Sequence, residues 1–101
     1  MRKQVSFMGY NCNVLQQTYV NGQNSIYLTD VKDGLPVAHA SICIPSVYCE
    51  KNNIPISNDE VFIKNYSENE GILDILIESR IVEPVDIINL GQVLVHKCKI
   101  L

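Results

Sequence analysis

The side chains best suited to hold a soft metal or supply a nucleophile are His39, Cys43, Cys49, His96 and Cys98, with Cys12 standing apart near the start of the chain. Zinc takes four such ligands in a tetrahedron, usually as pairs separated by two to four residues. Cys43 and Cys49 have five residues between them. His96 and Cys98 lie two apart in a segment that alternates like a strand, so both point to one face. They converge with Cys43 and Cys49 only if the final strand lies beside the fourth. The plainer reading packs the cysteines as small hydrophobes and leaves the histidines at strand surfaces. A thiolate nucleophile needs a base and a third group to orient it, and Cys98 with His96 lacks the third.

Carboxylates pair at Asp59-Glu60 and at Glu68 with Glu70. The second pair serves a helix start, as argued below. That start also carries too much negative charge to cradle a phosphate. The reading is therefore a non-enzyme with no catalytic residue, no cofactor and no resident metal. A zinc-binding or cysteine-dependent protein using Cys43, Cys49, His96 and Cys98 is the alternative.

The elements that must position these residues begin as strands. Lys3 to Met8 alternates polar and apolar, and Gly9-Tyr10-Asn11 supplies a turn before a strand over Asn13 to Val20. Asn21-Gly22 predicts a type I′ hairpin turn, leading to a strand over Ser25 to Val31. Asp33-Gly34 and Pro36 mark the next reversal. Val37 to Ile44 then alternates, with Ala38, Ala40, Ile42 and Ile44 on one side and Val37, His39, Ser41 and Cys43 on the other. Pro45 to Asp59 reads as a long connection, followed by a short extended segment over Val61 to Tyr66.

Ser67-Glu68-Asn69-Glu70 matches a capping box, and Ile72, Leu73, Ile75, Leu76 and Ile77 form a wide apolar stripe. The spacing predicts a helix over about Ser67 to Arg80, stopped before Glu83-Pro84. Gln92 to Leu101 alternates as a last strand. The fold class expected is α+β: one mostly antiparallel sheet of five to six strands, with the helix packed on one face. Tyr19, Tyr27, Thr29 and Val37 fall on the other face, exposed or forming a contact between copies.

The chain has 101 residues, 47% apolar and 19% charged, which predicts a single self-folding domain over 1–101. Its net charge of −3 disfavours binding to nucleic acid or an anionic membrane through phosphates. The N-terminal segment lacks the apolar run of about 7–15 residues that an export signal needs, which predicts a soluble cytoplasmic protein with free thiols. Charge is unevenly spread. Glu50 to Asp86 holds nine acidic and three basic residues, a balance of −6, against +3 for the remainder. Such a segment is a solvated face or a docking surface for a basic partner.

The run from Asp59 through Phe62, Lys64, Tyr66 and Glu68 to Gly71, with Ile81-Val82-Glu83-Pro84 and a closing Val95-His96-Lys97-Cys98-Lys99-Ile100-Leu101, resembles a family of small uncharacterised bacterial proteins. These are carried on conjugative and other mobile elements of gut Firmicutes and Bacteroidetes. Gly9-Tyr10-Asn11-Cys12, the Asn21-Gly22 hairpin and the strand closed by Pro45 fit the same pattern. Two features depart from it: Ser46 to Asn58 extends the link after the proline, and Arg80 stands where the family tends to carry glycine.

The resemblance implies a gene context and no chemistry. It points to an accessory protein that acts by protein–protein contact, for example by blocking a host defence protein. The contact candidates are Tyr48, Glu50, Phe62, Lys64, Tyr66 and Glu68, together with the Ser46 to Asn58 loop. The competing non-enzymatic reading is a structural homo-oligomer.

Overall fold

The computed structural model describes residues 3–101. Four strands, β1 (Gln4–Phe7), β2 (Tyr10–Thr18), β3 (Asn24–Asp30) and β4 (Pro36–His39), form an antiparallel sheet in that order. The meander expected from the alternation is present, but its turns differ. Met8 and Gly9, at φ 51° and 82°, make the two-residue turn between β1 and β2. Positive φ at both central residues is the type I′ requirement, so that turn forms here rather than at Asn21-Gly22. At the second hairpin only Gly22 is left-handed, at φ 88°. Its N–H donates to Tyr19 O at 2.9 Å, and the Tyr19 N–H donates to Gln23 O at 2.8 Å, giving a three-residue loop. Asn21 contributes its side chain instead, Oδ1 accepting from the Gln23 N–H at 3.1 Å.

The second sheet corrects the single-sheet expectation. It contains β5 (Glu60–Ile63), β6 (Val82–Asn89) and β7 (Leu94–Ile100), antiparallel in the order β5-β7-β6. The segment expected to run as one strand to Ile44 leaves the first sheet at Ala40. There the N–H donates to Ile26 O of β3 at 2.9 Å, while the carbonyl accepts from the Lys64 N–H at 2.8 Å. Ser41 then pairs with Ile63, and the Ile42 N–H donates to Phe62 O at 3.0 Å. Ala40 is wholly buried where the chain changes sheets. Pro84 does not merely end the helix. It lies in β6, beside a register shift between Pro84 and Asp86, on a strand at the end of the sheet where a missing N–H is tolerated.

The long connection contains a short helix, α1 (Ser46–Lys51), entered through Pro45. The expected long helix is divided into a 3₁₀ turn over Ser67–Asn69 and α2 (Ile72–Glu78). The capping box is not formed, because Ser67 itself is left-handed at φ 55°. Asn65 takes over that function, its Oδ1 accepting from the Leu73 N–H at 2.9 Å. At the other end Arg80 is left-handed at φ 58°. The Ile81 N–H reaches Leu76 O at 2.9 Å and the Arg80 N–H reaches Ile77 O at 3.0 Å. This is a Schellman motif with arginine where glycine is favoured.

The inner core joins Val5, Phe7, Cys12, Ile26 and Leu28 of the first sheet to Val61, Ile63 and Cys98 of the second and to Ile72 and Leu76 of α2. That helix packs against β1 and β6, the strands at the two far ends of the sheets. A second cluster covers the opposite face of β5 and β7: Phe62 and Val95 pack with Ile44 and Cys49, flanked by Ile54 and Ile56. Each large side chain so buried contributes about 1.5–3 kcal/mol.

Buried polar side chains fasten this cover. The Gln23 amide exchanges two hydrogen bonds with the Ile44 backbone, at 2.7 and 3.0 Å. Asn24 Nδ2 donates to Asn58 O and Glu60 O, both at 2.8 Å. Lys97 Nζ donates to Pro55 O at 3.1 Å, and Glu60 Oε1 accepts from the Ser57 N–H at 2.8 Å. Among the described residues no helix is long and apolar enough to cross a membrane.

Candidate functional site

Phe62 is 1% exposed and belongs to the second core cluster, so it is not a contact residue. Tyr48 and Glu50 are exposed on α1, on either side of the buried Cys49. The inward-facing apolar residues of the Ser46 to Asn58 loop cover the second sheet; they are not held out for a partner. Lys64, Tyr66 and Glu68 form one group, with Glu68 exposed, Lys64 half-buried and Tyr66 half-buried against the second core cluster. Lys64 Nζ bonds Glu68 Oε1 at 2.6 Å and lies 5.4 Å from the Tyr66 ring centroid. That hydrogen bond holds the Lys64 ammonium above its ordinary range and the Glu68 carboxyl below its own.

The cysteines are distributed between the two cores. Cys98 lies in the inner core, while Cys49 packs with Phe62 against the other face of the second sheet. Burial pushes the Cys98 thiol up to about 11, which leaves almost no thiolate at neutral pH. Burial also raises Cys12, with Asp30 adding to the effect, and raises Cys49, with Cys43 adding to it. Cys43 is exposed. Among the described residues no three His, Cys, Asp or Glu side chains come together as metal ligands would.

A different constellation is assembled on the outer face of the first sheet. Strand pairing sets Tyr27 of β3 opposite His39 of β4. Alternation from Tyr27 puts Ser25 on the same face. The His39 ring stacks on Tyr19 with centroids 5.8 Å apart and meets the Tyr27 ring edge-on at 5.5 Å. His39 Nε2 lies 2.9 Å from the Tyr19 hydroxyl and 3.0 Å from Ser25 Oγ. The Tyr19 hydroxyl also lies 3.0 Å from Ser41 Oγ, which accepts from the Ile26 N–H at 2.9 Å. Nε2 accepts from these hydroxyls in one ring tautomer and donates to them in the other. Nδ1 has no hydrogen-bond partner among the described residues. From the 3₁₀ turn, the 1%-exposed Asn69 fixes the strand beneath the ring, Nδ2 donating to His39 O at 2.6 Å.

These groups line an open groove of about 630 Å³, with Tyr19, Tyr27, Val37 and His39 along it and Glu68 and Asn69 at the 3₁₀ turn. Tyr19, Tyr27 and Val37 share this groove, in keeping with their placement on one face by alternation. Thr29, expected with them, is 8% exposed and outside it. Glu68 connects the groove to Lys64 and Tyr66. His39, Ser25, Ser41 and Asn69 were not legible as a site. The usable signal was His39 and Ser41 alternating onto one strand face while tyrosines occupied the outer face of the meander.

Ser25 is 4% exposed and its hydroxyl serves the ring. Among the described residues no carboxylate is hydrogen-bonded to Nδ1 to orient the imidazole as a general base. Tyrosine and histidine rings held by hydrogen bonds, with a carboxylate at the edge, suit contact with a partner surface. Comparison with protein-family models, with curated proteins and with solved structures finds no match.

Proposed function

We propose that this is a non-enzymatic binding protein that acts by contact with another protein, in keeping with the accessory role in a mobile element that the resemblance implies. The groove of Tyr19, Tyr27 and His39 is its contact site, with Lys64, Tyr66 and Glu68 at the rim. The observation that supports this is the prior assembly of the rings: His39 Nε2 is hydrogen-bonded to the Tyr19 and Ser25 hydroxyls, and Ser41 holds the Tyr19 hydroxyl in turn. Preorganised aromatic groups lose little freedom on binding, which is why they dominate interface energetics.

The test is affinity capture from a natural host with the wild-type chain and with a Tyr27→Ala/His39→Ala variant shown to be folded. A stoichiometric protein retained by the first and lost by the second is the expected result. Equal capture by both chains overturns the assignment of the groove.

A further inference from the structure

Asn21 is the one asparagine of this chain that a glycine follows. That dipeptide carries chemistry of its own. Glycine has no Cβ to hinder its nitrogen, so the nitrogen reaches the preceding side-chain amide carbon more easily than in any other Asn-X pair. Both residues are exposed, and a Cβ placed on Gly22 would meet nothing within 4 Å. Asn21 Oδ1 accepts from the Gln23 N–H at 3.1 Å, which folds the side-chain amide back over the Gly22 peptide. The next most reactive pair, Asn24-Ser25, is buried in β3, with Asn24 Nδ2 held by two bonds of 2.8 Å.

Two parts of the molecule meet at this loop. One is the groove, through Tyr19: its N–H donates to Gln23 O, its carbonyl accepts from the Gly22 N–H, and its hydroxyl bonds His39 Nε2 and Ser41 Oγ. The other is the entry to α1. Asn21 Nδ2 donates to Ile44 O and to Ser46 Oγ, each at 3.4 Å, and the Gln23 side chain clamps the Ile44 backbone. Ile44 and Cys49 in turn pack with Phe62.

We propose that Asn21 is a site of spontaneous deamidation, and that the isoaspartyl product releases both Tyr19 and the entry to α1. The Gly22 nitrogen gives its proton to solvent and attacks Asn21 Cγ. The new C–N bond closes a five-membered succinimide as the Cγ–Nδ2 bond breaks and ammonia leaves. Water then opens the ring, giving aspartate, or isoaspartate when the Gly22 nitrogen stays on Cγ. An amide and water are consumed, an acid and ammonia are formed, and no oxidant enters. Isoaspartate adds one carbon to the main chain between Asn21 Cα and the Gly22 nitrogen, so the Tyr19 bonds to Gly22 and Gln23 no longer close. The donor to Ile44 O is also lost, and a carboxylate faces that carbonyl, acceptor against acceptor. The Gly22 N–H bond to Tyr19 O holds back the first step, so the folded chain converts more slowly than the unfolded one. Neither step depends on what the groove binds.

The test is incubation of the full chain for weeks in mildly alkaline buffer, followed by peptide mapping that separates isoaspartate from aspartate and by amide hydrogen exchange on the isolated product. The amide-to-acid mass gain is expected at Asn21 ahead of every other asparagine. In the isoaspartyl form the Tyr19 and Ile44 amides should exchange about tenfold faster or more. Asn21→Asp, which keeps the main chain at its natural length, should leave the Tyr19 amide protected. An Asn21 that is intact at the end of the incubation, or that converts after another asparagine, overturns the site. Conversion that leaves exchange at Tyr19 and Ile44 unchanged overturns the release. Equal loss of protection at Tyr19 in Asn21→Asp assigns the effect to charge and overturns the main-chain account.

Discussion

The side-chain carbonyl of Asn65 caps α2 by accepting from the Leu73 N–H at 2.9 Å, across eight residues and from outside the helix. Ser67, whose position in sequence announces a capping box, makes no such bond. Asn65→Ala should therefore destabilise the chain by about 1 kcal/mol, and Ser67→Ala should fall within about 0.5 kcal/mol of the wild type. Urea denaturation of both variants checks the contrast; the reverse order would restore the capping box.

Arg80 holds a left-handed conformation that an L-residue bearing a Cβ adopts at a cost. Glycine in the same place closes the same Schellman bonds without that cost, at some loss through the freer unfolded chain. Arg80→Gly should raise stability by about 0.5–1 kcal/mol, measurable as a Tm several degrees higher. Arg80→Val should lower it.

The exposed Cys43 should react with one equivalent of alkylating reagent in the folded protein, while Cys12, Cys49 and Cys98 react on unfolding. Mass spectrometry of the modified chain counts them. Cys98 adds a pH dependence. Its pKa is raised from 9.0 to about 11, so the stability linked to its neutral thiol is present below pH 9 and is lost as pH rises toward 11. Denaturation curves across that window should show the fall, and Cys98→Val should reduce it.

The Lys64–Glu68 pair lowers the Glu68 carboxyl and raises the Lys64 ammonium. Lys64→Met should return the Glu68 titration, followed by carbon-detected NMR, upward toward the ordinary carboxylate value. The stability linked to Glu68 is present above its unfolded pKa and lost as pH falls through the lower folded value. The side chain is exposed and solvent screens the pair, so the change in global stability should be close to undetectable.

β1 and β7 were legible from period-two alternation in the sequence, and β2 and β3 from the turn residues that bound them, Gly9-Tyr10-Asn11, Asn21-Gly22 and Asp33-Gly34. What was hidden arises from distance. Nothing local to Ala40 says that its N–H and carbonyl serve two different sheets, so the alternation through Ile44 read as one strand. Phe62 sits in a motif that looked like an exposed recognition stretch, and its burial depends on Ile44, Cys49 and Ile54 folding over it. The capping box misled because a left-handed Ser67 cannot occupy the cap position, and the residue that replaces it lies upstream. Half of the groove was legible through Tyr19, Tyr27 and Val37. His39 joined them only through the register that pairs it with Tyr27.

The strand order of the second sheet bears on synthesis. β7, which follows β5 and β6 in sequence, lies between them, so the second sheet cannot close until Leu94 to Ile100 has cleared the ribosome. The first sheet can zip hairpin by hairpin during translation, whereas until β7 arrives β5 has only its earlier partners, the bridge from Ser41 and the cover from Ile44 and Cys49. That interval leaves the β6 and β5 edges that β7 later fills without their final partner.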